Sequence, residues 1–204
     1  LVNCFSETME KLGIEVLLET KANEIIMVDG AAAGVKAESP DKELTINAKA
    51  VILTTGGFGA NEEMYCTYRP DLKGTVTTNA PGATGDGIVM AQAVGADLVD
   101  IEQIQLHPTV EQATSMLITE GVRGDGAILV NQQGVRFVNE MLTRDQVSAA
   151  ELEQEGSYAY VIFDQRLRDG LKAAEKYIKT GIVVEAPTIE ELAEKLSMDG
   201  QTLA

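Results

Sequence analysis

Apolar positions at the start of the chain repeat with a helical period. Val2, Phe5, Met9 and Leu12 are three or four residues apart, and Gly13 follows them. This spacing gathers apolar side chains on one face of a helix, and a glycine commonly follows the last helical residue. The pattern predicts a first helix that ends at Gly13.

Short apolar runs separated by turn residues predict strands in the next forty residues. Residues 14–20 indicate a short strand, and residues 23–39, with a turn at Asp29-Gly30, indicate an antiparallel hairpin or meander. The uninterrupted apolar run from Ala50 to Leu53 ends at a glycine cluster. Such a run is typical of a strand buried on both faces, as in a parallel sheet.

The remaining pattern alternates between helical and strand periods. Residues 84–96 indicate a glycine-rich turn that leads into a helix ending near Gly95, and residues 126–140 indicate two strands joined at Gln133-Gly134. Residues 157–164 are typical of another strand. One irregular stretch, around residues 111–115, is the predicted domain boundary.

Three further helices are predicted near the end of the chain. Thr143 and Gln146 have the spacing of a capping box, which places Thr143 at a helix N-cap. Thr188 and Glu191 repeat that spacing, and Asp199-Gly200 is expected to end their helix. A third helix is predicted from Gln165 to Tyr177.

Composition narrows the class of protein. The chain has 204 residues, 45% of them hydrophobic and only 4% aromatic, which suits an α/β protein with an aliphatic core. The formal net charge of −16 argues against binding to nucleic acid or to an anionic membrane surface, since both need a basic footprint. Any anionic substrate must therefore be attracted by a local group of cations.

Cysteine spacing and hydropathy argue against other classes. Cys4 and Cys66 are far apart and form no C-x-x-C, so we expect no metal site, disulfide framework or covalently attached haem. No apolar run approaches the roughly 18 residues that a membrane helix needs, so no membrane insertion is expected.

Several glycines and charged residues are candidates for chemistry, each with an ordinary structural alternative. Gly56 and Gly57 follow a predicted strand, where they form a tight turn or allow the backbone to approach a ligand. Asp86 either caps a helix or accepts a hydrogen bond from a ligand hydroxyl. Glu120 and Arg123 are spaced to pair within a helical turn, on the surface or in a site.

Two residues stand out as single features. His107 is the only histidine and precedes Pro108, which favours an extended backbone. Arg144 falls at the first position of a predicted helix, where the helix dipole disfavours a cation. Asp145 could offset part of that cost.

A set of motifs in a fixed order resembles the soluble fumarate reductase flavoproteins, including the flavoprotein part of flavocytochrome c. The motifs are AVILTTGGFGANEEM, NAPGATGDGIVMAQAVGADL, QLHPT, ITEGVRGDGAILVNQQGVRFVNE and TRDQVSAA, and they span nearly the whole chain. The resemblance implies an FAD-dependent reductase that transfers a hydride from reduced flavin to the double bond of an unsaturated dicarboxylate, most simply fumarate.

The resemblance also implies roles for individual residues. His107, Thr119, Glu120 and Met116 correspond to substrate-binding residues of the family. Arg144 corresponds to the general acid that protonates the substrate carbon, and a proton relay through Glu120 and Arg123 would resupply it. The cofactor contacts implied by the resemblance are Ala22, Gly56, Gly57 and Asp86.

The resemblance predicts two partial domains. Residues 1–110 would be part of a Rossmann-like FAD-binding domain with a β-meander, and residues 111–204 part of an α+β capping domain, giving a mixed α/β and α+β class. The dinucleotide fingerprint of the family precedes this region, and its second substrate histidine and arginine follow it. We therefore expect this piece alone to bind FAD weakly or not at all.

Some alternatives stay open at this stage. The same fold could reduce another enoate such as urocanate, or a ketosteroid, and a protein of another class would be a non-catalytic binding module. The electron donor is unidentified. The expected compartment is cytoplasmic, with a periplasmic or cell-surface location as the alternative.

Overall fold

The computed structural model describes residues 2–204 and divides them into two compact units. Unit 1 comprises residues 2–68 and 80–101, and unit 2 comprises residues 69–79 and 102–204. The fold is mixed α/β, and every sheet within the described residues is antiparallel. None of the helices in this part of the chain combines the length and the apolar character that crossing a membrane requires.

Unit 1 is built on the predicted meander. Helix α1 (Val2–Leu12) is followed by strands β1 (Lys21–Val28), β2 (Ala31–Ser39) and β3 (Lys42–Asn47), which pair in the order β1-β2-β3. Val35 lies between Ile25 on one side and Ile46 on the other, which fixes the register of all three strands. The end of α1 and the turn at Asp29-Gly30 are confirmed.

Gly34 shows why the meander needs a glycine at its centre. Its φ is +154°, and a Cβ there would lie 2.1 Å from the carbonyl oxygen of Ile46. β2 and β3 can approach this closely only where no side chain intervenes. The backbone geometry at position 34 therefore requires glycine.

Two strands predicted for unit 1 are absent from it. Residues 14–20 and 50–53 form neither helix nor strand, and Ile52 is 84% exposed. A strand buried on both faces needs neighbouring strands and covering helices, and in residues 2–204 no strand pairs with residues 50–53. Those two predictions were wrong.

The helices of unit 1 are α2 (Glu62–Tyr68) and α3 (Asp86–Ala93). The prediction of a helix that ends near Gly95 is confirmed by α3. Gly85, in the left-handed region with φ of +84°, is its N-cap. Asp86 is the first helical residue and forms no cap, so the capping alternative for Asp86 was wrong.

Unit 2 contains short sheets and several helices. The hairpin of β4 (Val110–Glu111) and β5 (Met116–Leu117) precedes α4 (Gly121–Gly124), and β6 (Ile128–Val130) pairs with β7 (Tyr160–Ile162). The other helices are α5 (Arg144–Leu152), α6 (Gln165–Gly170), α7 (Lys172–Lys179), α8 (Ile189–Leu196) and α9 (Gly200–Leu203), with 3-10 turns at Pro70–Leu72 and Glu155–Ser157.

Two apolar clusters hold unit 2 together. The larger joins Val122 of α4 and Ala127 to residues of α6 and α7, including Ala174 and Tyr177. The smaller joins Val130 of β6 to Ala193 of α8 and Leu203 of α9. Val122 and Ala174 are fully buried, so α4 is fixed firmly against α7 despite its short length.

Several predicted boundaries in unit 2 need correction. The turn near Gln133-Gly134 forms, but the strand after it is reduced to one bridge between Val130 and Arg136. The helix predicted for residues 165–177 breaks between Gly170 and Lys172, because glycine weakens a helix. Asp199 does not end α8, which stops at Leu196; it is instead the N-cap of α9.

The two predicted N-caps form, but only one uses its side chain as expected. Thr188 caps α8 and accepts a hydrogen bond from the Glu191 N–H at 3.2 Å. Thr143 occupies the N-cap of α5, yet its hydroxyl donates to the side chain of Gln146 at 3.0 Å. The first-turn N–H groups of α5 therefore donate no hydrogen bond to the Thr143 hydroxyl.

Candidate functional site

The extended segment that carries His107 lies beside the segment that carries Thr119 and Glu120. The carbonyl of Thr109 accepts a bond from the Ile118 N–H at 3.0 Å, and the Thr109 hydroxyl donates to the Ile118 carbonyl at 2.8 Å. Thr109 is 2% exposed, so both bonds are shielded from water. This buried link holds two segments, nine residues apart in sequence, beside each other in unit 2.

Glu120 joins two arginines that are far apart in sequence. Its two carboxylate oxygens accept bonds from Arg144 Nε at 2.5 Å and Arg144 Nη2 at 2.6 Å. Arg123 Nη2 lies 3.4 Å from the oxygen that Arg144 Nε contacts. The planar fork of an arginine matches a carboxylate in this two-point geometry, which fixes orientation as well as charge.

The contact with Arg144 determines the ionisation state of Glu120. The hydrogen bond from Arg144 lowers the pKa of Glu120 to about 2, so Glu120 is a carboxylate at neutral pH. In turn, Glu120 raises the pKa of Arg144. The sequence predicted that the helix start would make the Arg144 cation less stable; the predicted position is confirmed, but the carboxylate reverses the electrostatic effect.

Arg123 is buried and held from a second direction. Its side chain is 6% exposed, and Nη1 donates to the backbone carbonyl of Glu140 at 2.7 Å. Its Nε atom is also buried and has no hydrogen-bond partner in the structure. Buried arginine nitrogens normally have partners, so this one is available for a further polar contact.

The Glu140 side chain anchors the backbone on which Arg123 depends. Glu140 is 4% exposed; Oε1 accepts bonds from the Leu129 N–H at 2.8 Å and Arg136 Nε at 3.0 Å, and Oε2 from Arg136 Nη2 at 2.6 Å. Burial disfavours its charge, but these bonds outweigh burial and lower the pKa of Glu140. The RFVNE motif thus connects β6 to Arg123.

His107 lies near the two arginines and is half-buried. Burial, and then the positive charge of Arg144, lower the pKa of His107, so the ring is neutral at pH 7. The Thr109 N–H donates to Nδ1 at 3.3 Å. With Nδ1 as the acceptor, the proton of a neutral ring is on Nε2, which can donate to a ligand oxygen.

The structure places Thr119 and Met116 differently. The Thr119 N–H donates to the Tyr177 hydroxyl at 2.9 Å, which fixes the residue next to Glu120 against α7. Met116 packs against the apolar cluster around Val122, and the Thr180 hydroxyl lies 3.8 Å from its sulfur. Core packing therefore accounts for the position of Met116.

Gln105 was not predicted as a site residue. Its side-chain oxygen accepts a hydrogen bond from Arg144 Nη1. Gln105 is two residues before His107 in an extended segment, and side chains two apart in such a segment point to the same side. The two-residue spacing between Gln105 and His107 was the feature of the sequence that could have indicated a site role for Gln105. Arg144 is consequently held by two acceptors, Glu120 and Gln105.

The proposed cofactor residues all lie in unit 1. The segment of Gly56 and Gly57 is tied to the start of α3, because the Gly85 N–H donates to the Gly57 carbonyl at 3.1 Å. Gly56 has a φ of +76°, and a Cβ at either glycine would meet open space. Ala22 is half-buried in β1, where it pairs with Ala37.

Asp86 has two polar partners and remains accessible. The Thr84 hydroxyl donates to it at 2.9 Å, and Lys21 Nζ lies 3.2 Å away. These contacts, first the Thr84 bond and then the Lys21 bond, lower the pKa of Asp86. An exposed, ionised carboxylate beside an open glycine backbone fits a group with hydroxyls that needs close backbone approach, so these residues fit FAD.

The described residues provide no group of three or more His, Cys, Asp or Glu side chains that could hold a metal ion. The Glu120 cluster itself consists of a carboxylate, two guanidinium groups and a neutral imidazole. Such a set can bind a carboxylate and move a proton along hydrogen bonds.

The chain belongs to the family described as FAD binding domain, whose profile matches residues 1–202. It is 50% identical over 200 residues to NADH:fumarate oxidoreductase of Klebsiella pneumoniae (strain 342), covering 98% of this chain and 22% of that protein. It is 40% identical over 205 residues to fumarate reductase (cytochrome) of Shewanella frigidimarina, covering 100% of this chain and 36% of the relative.

A solved structure of the open conformation of a flavocytochrome c3 fumarate reductase is similar to the chain. The TM-score is 0.84 at 36% identity, covering 99% of this chain and 36% of the solved one. The family and the mixed α/β fold class expected from the motifs are thereby confirmed. The chain spans between about a fifth and just over a third of the length of these relatives.

Proposed function

We propose that the protein containing this chain is an FAD-dependent reductase that reduces the double bond of an unsaturated dicarboxylate, converting fumarate to succinate. The observation that carries the proposal is the convergence of Arg144 and Arg123 on Glu120, with the neutral imidazole of His107 nearby. The two similar fumarate reductases support the choice of substrate.

When bound and reduced, FAD would supply the hydride that one carbon of the double bond takes in the proposed reaction. Arg144 gives a proton to the other carbon, where negative charge develops. Glu120 and Arg123 then return a proton to Arg144 through the bonds at 2.5 Å and 3.4 Å. A proton from solvent then replaces the one that Arg123 gave up, so each of these side chains ends in the ionisation state in which it began.

The raised pKa of Arg144 sets a condition on this step. An arginine is a very weak acid, and its pairing with Glu120 makes it weaker. Only a strongly basic centre, such as a carbon that has just received a hydride, can take its proton. The ion pair would therefore keep Arg144 protonated until the substrate carbon demands a proton.

The charges of the cluster set a limit on substrate binding. Arg123 and Arg144 contribute two positive charges, Glu120 one negative charge, and His107 is neutral. The net charge of +1 balances one carboxylate of a dianion, which His107 can also contact through Nε2–H. We infer that the second carboxylate is bound by cationic residues elsewhere in the whole protein.

We further propose that Ala22, Gly56, Gly57 and Asp86 contact FAD, with Asp86 accepting a bond from a cofactor hydroxyl. Residues 1–110 would belong to an FAD-binding domain and residues 111–204 to a capping domain. Because this chain contains no glycine fingerprint of the G-x-G-x-x-G type for phosphate binding, we expect the 204-residue piece alone to bind FAD weakly or not at all. A stoichiometric flavin absorption band in that purified piece would contradict this expectation.

The similar NADH:fumarate oxidoreductase supports a proposal for the electron donor and the compartment. We propose a cytoplasmic location with NADH as the ultimate donor, because NADH is a reductant of the cell interior. Cell fractionation, together with NADH oxidation coupled to fumarate, tests both points. Fumarate-dependent activity found only in a periplasmic fraction would contradict them.

The substrate assignment is tested by comparing electron acceptors. The flavin-loaded whole protein, with a reduced viologen as donor, is assayed with fumarate and with urocanate. We expect kcat/KM for fumarate to exceed that for urocanate by at least about 100-fold, because urocanate lacks the second carboxylate, which we infer is bound by cationic residues elsewhere in the whole protein. Activity with urocanate alone would overturn the proposal.

A further inference from the structure

Besides Glu120, a further carboxylic acid, Glu151, lies on α5, the helix that begins with Arg144. Glu151 follows Arg144 by seven residues in α5, and two helical turns of that length return to the same face. Ser148 lies between them, four residues after Arg144 and three before Glu151. One face of α5 thus carries an arginine, a hydroxyl and a carboxyl in a row.

Two buried polar atoms without partners belong to this part of unit 2. Arg123 Nε and Ser148 Oγ are both buried and lack a hydrogen-bond partner, and their residues are 6% and 5% exposed. Buried polar groups of this kind are uncommon and call for an explanation. A row of such groups suits proton transfer, which needs donors and acceptors that are not already committed.

Arg123 connects the two ends of that face. One guanidinium nitrogen lies 3.4 Å from Glu120, the partner of Arg144. The positive charge of Arg123 also acts on Glu151, where it favours the carboxylate. Arg123 therefore contacts Glu120, the partner of Arg144, and also acts on Glu151 through its charge.

Glu151 also opens onto a large cleft in unit 2. The cleft has a volume of about 890 Å³, and Glu151 lines it together with Tyr158, Ala159 and Tyr160. The backbone of Ala159 forms a hydrogen bond with the Glu151 side chain. Glu151 thus faces a space that water can enter.

We propose that Glu151 is the residue that loads protons from the cleft onto Arg123, and so supplies the relay through Glu120 to Arg144. This inference rests on the reductase proposed above. Glu151 does not touch the substrate in this scheme; it acts through Arg123.

The proton balance of the scheme is simple. Once Arg144 has protonated the substrate carbon, Glu120 relays a proton from Arg123 to Arg144, and the carboxyl O–H of Glu151 then reprotonates Arg123. Glu151, left as a carboxylate, takes a proton from water in the cleft. The net transfer is one solvent proton to carbon, and the electron pair for the new C–H bond is that of the carbanion.

The ionisation of Glu151 suits this role. Burial, opposed by the Ala159 bond and by Arg123, raises the pKa of Glu151 from 4.5 to about 7, so both forms are populated at neutral pH. Tyr158 and Tyr160 are the titratable groups beside it on the cleft, and the other charged groups that line the cleft are Glu111, Asp164, Arg168 and Glu185.

The test replaces Glu151 with glutamine in the flavin-loaded whole protein. Glutamine has the same shape and still accepts a hydrogen bond, but it cannot carry a proton. We expect kcat for fumarate at pH 6 to fall at least fivefold with KM within twofold of wild type. The wild-type decline of kcat above pH 7 should disappear in this variant, and Glu151→Asp should restore most of the activity.

Glu153→Gln is the matched control, since Glu153 directly follows α5, is exposed and does not line the cleft. It should keep wild-type kcat and pH dependence. If Glu151→Gln keeps them too, while wild type reduces fumarate, the inference is overturned and the proposed reductase stands. If wild type does not reduce fumarate, both fail.

A measurement on the unmodified protein covers the case in which Glu151→Gln does not fold. Infrared difference spectra of wild type follow the protonated carboxyl band between pH 3 and 9, and the band that shifts in frequency in Glu151→Asp assigns it. Titration near pH 7 supports the proposal. Titration near pH 4.5 would overturn it, because Glu151 would then carry no proton to deliver.

Discussion

Replacement of Glu140 with alanine should destabilise unit 2 strongly, because the buried carboxylate serves the Leu129 N–H and Arg136 at once. Leu129 is 1% exposed, so its N–H would lose its acceptor without gaining water. An unsatisfied buried donor costs about 1–3 kcal/mol. Arg136 is 57% exposed, so the loss of its partner adds only about 0–1 kcal/mol.

The expected loss for Glu140→Ala is therefore about 1–4 kcal/mol in the free energy of unfolding. Glu140→Gln keeps an acceptor for the Leu129 N–H and should lose about 1–2 kcal/mol less than alanine. Urea unfolding followed by far-ultraviolet circular dichroism measures both, because the chain contains no Trp. Glu153→Ala, at an exposed position, should change stability by less than about 0.5 kcal/mol.

The pH dependence of this effect has a definite sign. The pKa of Glu140 is lowered on folding, so its stabilisation is present above its ordinary pKa of 4.5 and is lost as the pH falls through the lowered value. The difference between wild type and Glu140→Ala should shrink in acid. If alanine and glutamine destabilise equally, or if both cost less than about 1 kcal/mol, the Leu129 N–H does not depend on Glu140 and the reasoning is refuted.

Three further predictions concern stability and use the same unfolding assay. Gly34→Ala should cost about 2–4 kcal/mol, because a Cβ would lie 2.1 Å from the Ile46 carbonyl oxygen; a cost below about 0.5 kcal/mol would show that the strands can separate freely. The pKa of Glu151 is raised to about 7, so its contribution to stability is complete below pH 4.5 and is lost as the pH rises through 7. By pH 8 the free energy of unfolding of Glu151→Gln should therefore exceed that of wild type by up to about 3 kcal/mol. A difference that does not change with pH would contradict the raised pKa. Thr188→Ala should cost about 1 kcal/mol, whereas Thr143→Ala should cost less because its hydroxyl does not cap the backbone.

Local patterns predicted the parts of the fold that depend on neighbours in sequence. The helix ending before Gly13, the meander around Asp29-Gly30 and the two threonine N-caps are set by spacing within a few residues. The strand predicted for residues 50–53 depends on partners that local patterns do not specify. That prediction was wrong for this reason.

The site shows the same division between local and distant information. The motif resemblance named His107, Glu120, Arg123 and Arg144, and unit 2 brings these residues together. No local pattern could show that Glu120 binds Arg144 in two places, and so the ionisation of the pair was not predictable. The prediction for Arg144 took account only of the dipole of α5. The carboxylate of Glu120, which comes from another segment, outweighs the effect of that dipole on the Arg144 cation.

Residues that act through distant contacts were the ones missed. Gln105 had only its two-residue spacing from His107 as a signal, and Glu151 only its seven-residue spacing from Arg144. Both spacings become meaningful once the local backbone conformation is known. The role proposed for Glu151 also depends on burial, which a sequence pattern does not give.

Removal of the Arg144 side chain is the most direct test of the proposal that Arg144 protonates the substrate carbon. Single-turnover reoxidation of reduced flavin by fumarate is measured in the whole protein with Arg144→Ala, with the exposed Arg166→Ala as the matched control. We predict a loss of about 10²–10⁴-fold in the rate for Arg144→Ala, with flavin reduction by the donor unchanged and a wild-type rate for the control. An Arg144→Ala rate within twofold of wild type would contradict the account.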